Sequence, residues 1–307
     1  MTSPASLDLA DLPEDQPIKS EGFWQTTLRR LLKHPIGRIG VIIVSILVLM
    51  AVFSSILSPY DPNAIDFSNR FSPPTWTHPF GTDDFGRDTF SRVLHGAQIS
   101  LLVGVIAVSI AGTLGTFLGL IAGYTTNRVV DEVIMRMMDI LFAFPAILLA
   151  IAILAALGKG IANAMIAIGL VYTPIFARIA RGAVLSVRNE EYVTAARALG
   201  TRSSVIMLRH ILPNSLAPLI VETSLSLAFA ILAEAALSFF GLGTQPPDPS
   251  WGRMLSEGRA YFQQSVWMAL FPGLAIMFSV VGFNFLGDGL RDALDPKMKQ
   301  MLEMRGR

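Results

Sequence analysis

Six stretches of this chain run for 17 to 25 residues almost without charge: Ile39–Leu57, Ile99–Gly123, Ile140–Leu157, Ile161–Ala177, Leu216–Phe240 and Val266–Leu286. A helix rises about 1.5 Å per residue, so roughly 20 apolar residues cross a hydrocarbon core about 30 Å thick. Only helices and closed barrels satisfy their backbone groups there. Apolar runs of this length, rather than short alternating segments, predict an all-α, six-span membrane protein. Composition agrees, with 15% charged residues against about 25% in a soluble domain.

Basic residues orient the spans. With the N-terminus in the cytoplasm, segments 1–38, 124–139, 178–215 and 287–307 hold eighteen of the 24 Lys and Arg, and the outside segments hold six. Both termini are therefore expected on the cytoplasmic side. Met1 to Glu21 carries five acids and one lysine, unlike a basic signal sequence, and the acidic, Pro-containing tail up to about Lys19 reads as disordered. The first run is expected to be a retained anchor. Segments 58–98 and 241–265 are rich in Pro and Gly and are expected to form ordered outside turns more than helix, with Trp76, Trp251 and Trp267 near the outer interface. Gly115, Gly119 and Gly123 fall on one stripe of the second span, where a neighbouring backbone can approach. That stripe serves static packing or a helix that moves.

The densest information lies between Arg188 and Pro213. Asn189 or Glu190 can open a short helix, with Glu191 in its first turn. Tyr192, Ala195, Ala196 and Leu199 follow at i, i+3, i+4 and i+7 and make one apolar face. Gly200 stands where a helix ends in a left-handed residue. Ser203 or Ser204 can cap a second helix, which Pro213 is expected to end. The apolar face has three possible covers: the chain's own helix ends, the lipid headgroups, or a groove on another protein.

The spacing resembles the coupling motif of bacterial binding-protein-dependent ABC importers: Glu-Ala-Ala, three residues, Gly, nine residues, Ile-x-Leu-Pro. Thr194, Ala195, Ala196, Gly200, His210, Leu212 and Pro213 stand at those positions, with Thr194 in place of Glu and His210 in place of Ile. Three further segments are similar to the dipeptide/oligopeptide/nickel permeases. They are Phe80-Gly-Thr-Asp-Asp-Phe-Gly-Arg-Asp88, then Met135-Arg-Met-Met-Asp139 with Phe144-Pro145, then Glu234-Ala-Ala-Leu-Ser-Phe-Phe-Gly-Leu-Gly243 leading to Pro249-Ser-Trp-Gly252. The resemblance runs from about Lys33 to Lys297 and is greatest to the second, C-type permease subunit of that family. It implies a type I ABC importer transmembrane fold. The core would be residues 99–287, with first span 39–57, outside loop 58–98, coupling loop 178–215, and cytoplasmic tails 1–38 and 288–307. The implied partners are a second permease, two ABC ATPase subunits, an external solute-binding protein and membrane lipid. The implied cargo is di- or oligopeptide, or else nickel chelate, glutathione or another small solute. In that family the two-helix loop docks on the ATPase, which casts Glu191, Tyr192, Thr194, Ala195, Ala196, Leu199, Gly200, His210, Leu212 and Pro213 as coupling residues.

Few groups invite another chemistry. Asp139 is three residues from Arg136, the spacing of a helical ion pair. Glu222 either lines a path or meets a basic helix end. Glu234 either faces a wet cavity or bonds neighbouring backbone. Gly81, Asp83, Gly86, Arg87 and Asp88 read as a turn network at a helix start, which a docked binding protein can touch. The four histidines are scattered, there is no cysteine, and no cofactor or metal site is expected. No Gly-x-x-x-x-Gly-Lys-Ser/Thr segment is present, so ATP hydrolysis falls to a partner, and a net charge of +1 gives no field for nucleic acid. A membrane hydrolase would need a nucleophile or a metal that the motifs do not supply. A stand-alone carrier would show repeats or relays of ionisable groups in its spans.

Overall fold

The computed structural model describes residues 23–294. Its helices, in chain order, are α1 (Phe23–Lys33), α2 (Pro35–Val52), α3 (Ser54–Leu57), α4 (Thr89–Tyr124), α5 (Arg128–Phe142), α6 (Ala146–Leu157), α7 (Ile161–Val187), α8 (Glu191–Ala198), α9 (Ser203–Ile206), α10 (Leu212–Phe239), α11 (Trp251–Ala260) and α12 (Trp267–Leu294). The tails before Phe23 and after Leu294, including most of the predicted cytoplasmic tails, lie outside the described residues. Five helical stretches, α2, α4, α7, Ser203–Phe239 and α12, are long and apolar enough to cross a membrane. The consecutive helices α5 and α6 together have the length and apolarity of a sixth, with a bend of 96° between them. This is an all-α polytopic bundle.

α4, α7, α10 and α12 each extend beyond their apolar runs at one end or both. α4 starts ten residues before Ile99, where the Asp88 carboxylate accepts the Ser91 N–H at 2.8 Å. Its 36 residues make it about 54 Å long, well beyond a hydrocarbon core. The run at 140–157 is not one straight span. It breaks at Ala143–Pro145, where a proline removes a donor and disfavours helix in the residue before it. α6 alone, at 12 residues, is about 18 Å long and too short to cross. Pro213 does not end a helix either. It lies just after a π turn, near the start of α10 and inside one helical path. A π turn over Met207–Ile211 joins α9 to α10, so the helical path runs unbroken from Ser203 to Phe239. The segment 241–265 holds a helix that its prolines hide: α11 is capped by Ser250, which accepts from Arg253 N–H.

Packing is tight where glycines line up. Gly115, Gly119 and Gly123 of α4 lie against Thr173, Phe176, Ala177, Ala180 and Val184 of α7. Gly37 and Gly40 of α2 meet Gly289 and Leu286 of α12 in the same way. One apolar core joins α4, α6, α7 and α10 around Val103, Ala111, Ile168 and Phe176. A second joins α2, α4, α10, α11 and α12 around Leu47, Ala97, Ile231 and Trp251. Trp251 is not an interfacial anchor: it is fully buried, and its Nε1–H donates to Val93 O at 3.0 Å. Trp76 is fully exposed.

Candidate coupling surface and buried polar groups

The α8–α9 elbow stands at one end of the bundle. Glu190 is the N-cap of α8 through its backbone alone, and Thr194 Oγ1 donates back to Glu190 O at 2.8 Å. Gly200 has φ +76° and a Cβ there would meet nothing within 4 Å, so the glycine answers a backbone need and not a steric one. α9 then starts after Arg202, with no side-chain cap from either serine.

The predicted apolar face splits in two. Val193 and Ala196, three residues apart, turn inward and join Leu120, Val184, Ile206 and Ile211 in a small third core. Tyr192, Ala195 and Leu199 turn out, with Leu199 85% exposed, and Leu208 lies exposed on the next turn. Ala196 therefore seats the helix on its own bundle, while its neighbours carry the free surface. Val193 was missed because only the three-residue spacing to Ala196 marks it as the inward partner. Glu191 and Thr194 are exposed, Leu212 and His210 half-buried, and Pro213 exposed. Tyr192 stacks obliquely toward His210 with ring centroids 6.3 Å apart. The elbow is tied to the rest by Arg188 Nη1, which donates to Gly123 O at 2.9 Å, and by the Arg197 guanidinium 5.6 Å from the Tyr124 ring.

Next to this surface α5 is clamped to α7. Arg181 donates to both oxygens of Asp131 at 2.7 and 2.6 Å. Asp139 pairs with Arg178 at 2.8 Å, not with Arg136, so the contact is between helices and not along one. Arg178 also lies 4.2 Å from the Phe142 ring centroid, beside the α5–α6 bend.

The two glutamates of α10 differ. Glu234 is wholly buried and accepts from Ser100 Oγ at 3.0 Å, Ser238 Oγ at 2.7 Å and Thr244 Oγ1 at 3.4 Å. Those donors belong to α4, α10 and the loop after α10, so the carboxyl joins three segments within the protein. Glu222 accepts from Ser226 at 2.8 Å and borders a cavity of about 440 Å³ that Pro218 and Arg291 also line. Closer to the α11 end, α6, α7 and α10 form an apolar cleft of about 360 Å³ walled by Ile147, Ile168, Tyr172, Phe229 and Ala236.

The motif around Gly81 and Asp88 folds into a buried network at the α11 end. Arg87 Nε donates to Asp83 Oδ2 at 2.6 Å, and Asp83 Oδ1 accepts Arg87 N–H and Phe85 N–H at 2.9 Å each. Gly86, at φ +77°, stands where any Cβ would overlap the Asp66 carbonyl. Asp88 accepts His78 Nδ1 at 2.9 Å, and Arg92 reaches Pro62 O at 3.0 Å. Glu257 of α11 lies 3.5 Å from Arg87 and 3.6 Å from Arg92, so the loop and α11 share their charges. Burial, with the Asp83 charge beside it, pushes the Asp84 carboxyl up. Hydrogen bonds from Ser68 and Asn69 hold the exposed Asp66 carboxyl down. Among the described residues no group of three His, Cys, Asp or Glu side chains fits a metal ion.

Comparison with known proteins adds to this geometry. The family model "Binding-protein-dependent transport system inner membrane component" matches residues 115–300, and "N-terminal TM domain of oligopeptide transport permease C" matches residues 22–74. The chain is 50% identical over 287 residues to the dipeptide transport system permease protein DppC of Alkalihalophilus pseudofirmus, covering 94% of each chain. It is 46% identical over 283 residues to a probable D,D-dipeptide transport system permease protein, DdpC, of Escherichia coli K12, covering 92% of this chain and 95% of that one. It is 45% identical over 289 residues to the glutathione transport system permease protein GsiD of Escherichia coli O6:K15:H31, covering 94% and 95%. In fold it is similar to a chain of the inward-facing MetNI methionine ABC transporter, with a TM-score of 0.55 at 17% identity, covering 66% of this chain and 97% of that one.

Proposed function

Because the chain belongs to the family of binding-protein-dependent transport system inner membrane components, we propose that it forms half of an importer's path for di- and oligopeptides. Its drive would come from a separate ATPase seated on the outer face of α8. The observation that carries this reading is the division of α8. Val193 and Ala196 fix the helix to the bundle, while Tyr192, Ala195 and Leu199 stay exposed and apolar. A helix held rigidly from behind can transmit a push received in front. The push has routes inward through Arg188 to the end of α4 and through the π turn into α10, with α5 clamped to α7 beside them.

In this reading the α8 end faces the cytoplasm, as do residues 1–38 and 288–307. Residues 58–98 and α11 face outward to a solute-binding protein, and 99–287 form the transport core with coupling loop 178–215. The apolar cleft of α6, α7 and α10 meets a second permease or the cargo. Two ATPase subunits would serve the pair of permeases. The peptide cargo rests on the names of the dipeptide relatives. Glutathione, itself a tripeptide, is the second reading, favoured by the relative at 45% identity.

The test is uptake of labelled dipeptide, longer peptide, glutathione and nickel in cells with the gene deleted and restored, together with Leu199→Asp. Burying a leucine stabilises a contact by about 1.5–3 kcal/mol, so the variant should weaken ATPase co-purification roughly tenfold or more and lower uptake. Full co-purification and full uptake by Leu199→Asp would remove α8 from the ATPase interface. Uptake loss confined to glutathione would select the second cargo.

A further inference from the structure

α1 carries three distinct stripes on one short helix. Thr27 and Leu31 are buried against the bundle. Gln25, Arg29 and Lys33, spaced by four, are exposed along a polar stripe. Leu28 and Leu32 are exposed along an apolar one, at 54% and 43%. The helix has no acid in its first turn and Arg30 and Lys33 in its last. It does not run on into the first span. A Cβ on Gly37 would stand 2.7 Å from Leu31 Cδ1 and 2.9 Å from Leu31 O, so α1 folds back over the first turn of α2. Pro35 starts α2 at that elbow, and His34 pairs with Asp292 of α12 at 3.4 Å to fix it. Ile36 and Ile39, the next exposed apolar residues, already belong to the face of α2 that meets lipid.

We propose that α1 is a membrane-surface helix, with Leu28 and Leu32 sunk at the acyl boundary and Arg29 and Lys33 set on anionic phospholipid headgroups of the leaflet at which α2 begins. An amphipathic helix of basic and leucine stripes beside a span lies in the interface plane, because each stripe then meets its own medium. The cations draw it to anionic lipid, each strengthening the association about five-fold. The seat formed by Thr27 and Leu31 on the bundle ties this immersion to α12, so the lipid charge of that leaflet bears on the end of the last span. The inference rests on α2 being a membrane span, and the experiment separates the two.

The chain has no cysteine, so single-cysteine variants take one spin label each. The assembled transporter is reconstituted in nanodiscs of phosphatidylethanolamine and phosphatidylglycerol, with labels at Gln25, Leu28 and Leu32, and at Ile46 of α2 as the span control. Collision with oxygen reports lipid, and collision with a water-soluble nickel chelate reports water. Labels at Leu28, Leu32 and Ile46 should favour oxygen, and the label at Gln25 the chelate. Replacing phosphatidylglycerol by phosphatidylcholine, or Arg29→Gln with Lys33→Gln, should raise chelate access at Leu28 and Leu32 at least twofold and leave Ile46 unchanged. Chelate access at Leu28 and Leu32 equal to that at Gln25 overturns the proposal, as does protection from both agents, which would place a protein partner there. Indifference to the charge of the lipid removes the headgroup contact. A water-exposed Ile46 would instead refute the span.

Discussion

Gly115→Ala tests whether the glycine stripe of α4 is a packing device. A methyl built on Gly115 would lie 2.5 Å from Thr173 O and 2.6 Å from Phe176 Cβ, both on α7. Carbon meets a carbonyl oxygen at about 3.3 Å at the closest, so the methyl is about 0.8 Å too near a backbone atom that no rotamer can move. α4 and α7 must part by something close to that amount. A radial gap of about 0.5–1 Å forfeits a quarter to a half of each dispersion contact, and overpacked cores lose typically about 1–3 kcal/mol. The internal control is Gly112, one turn earlier, where a methyl would sit 3.6 Å from the Phe176 ring in ordinary contact. Gly112→Ala should be neutral, or gain up to about 1 kcal/mol from helix propensity. Thermal denaturation of the two purified variants in one detergent reads the difference directly. If Gly115→Ala melts at or above the temperature of Gly112→Ala, the close approach of α4 and α7 is not what the glycines provide.

Three other outcomes follow from the same contacts. Gly200→Ala should cost about 1–2 kcal/mol of local stability because φ +76° disfavours any Cβ, Gly200→Val more, and Gly200→Asn least, so transport per ATP hydrolysed by the assembled importer should fall in the order Asn, Ala, Val. Equal ratios in all three would mean that the elbow can move without that conformation. Asp84→Asn should raise the melting temperature at pH 7. The folded-state pKa of Asp84 lies above its ordinary 3.8, so its carboxyl favours the fold below that value and loses this as pH rises through the folded pKa. The gain from the variant must therefore shrink to nothing as the pH approaches 4, and a gain independent of pH would point to another cause. Arg181→Asp should loosen α5 from α7, and Asp131→Arg in the same chain should restore part of the loss. The coupling in a double-mutant cycle of melting curves should fall within about 0.5–3 kcal/mol, and strict additivity would show that the 2.6 and 2.7 Å contacts contribute nothing.

Much of the architecture was legible because bilayer chemistry leaves a plain mark. Uncharged runs long enough to cross can only become helices, and five of the six runs lie on helices long enough to span. The loop around Gly200 was legible in outline, since Gly200 and the spacing around it anticipate a helix, a left-handed residue and a second helix. Errors arose where local punctuation was given too much weight. Pro213 was expected to stop a helix and instead lies within a helical path from Ser203 to Phe239, just after a π turn. The prolines at 246–249 concealed the helix that Ser250 caps. Asp139 was given the nearest cation in sequence and took one from another helix.

By itself the sequence determined the class of solvent for each segment, five of the long apolar helices and the position of the elbow, because these depend on composition over one or two turns and on residues with few conformations. Only the tertiary structure decided which side of each helix is spent on the chain itself. It turned Val193 and Ala196 inward and left Tyr192, Ala195 and Leu199 outside, buried Trp251 where an interfacial tryptophan was expected, and gathered Ser100, Ser238 and Thr244 around Glu234. Those assignments depend on what stands opposite a residue, and a helix pattern, which repeats every 3.6 residues with no record of its neighbours, does not contain that information.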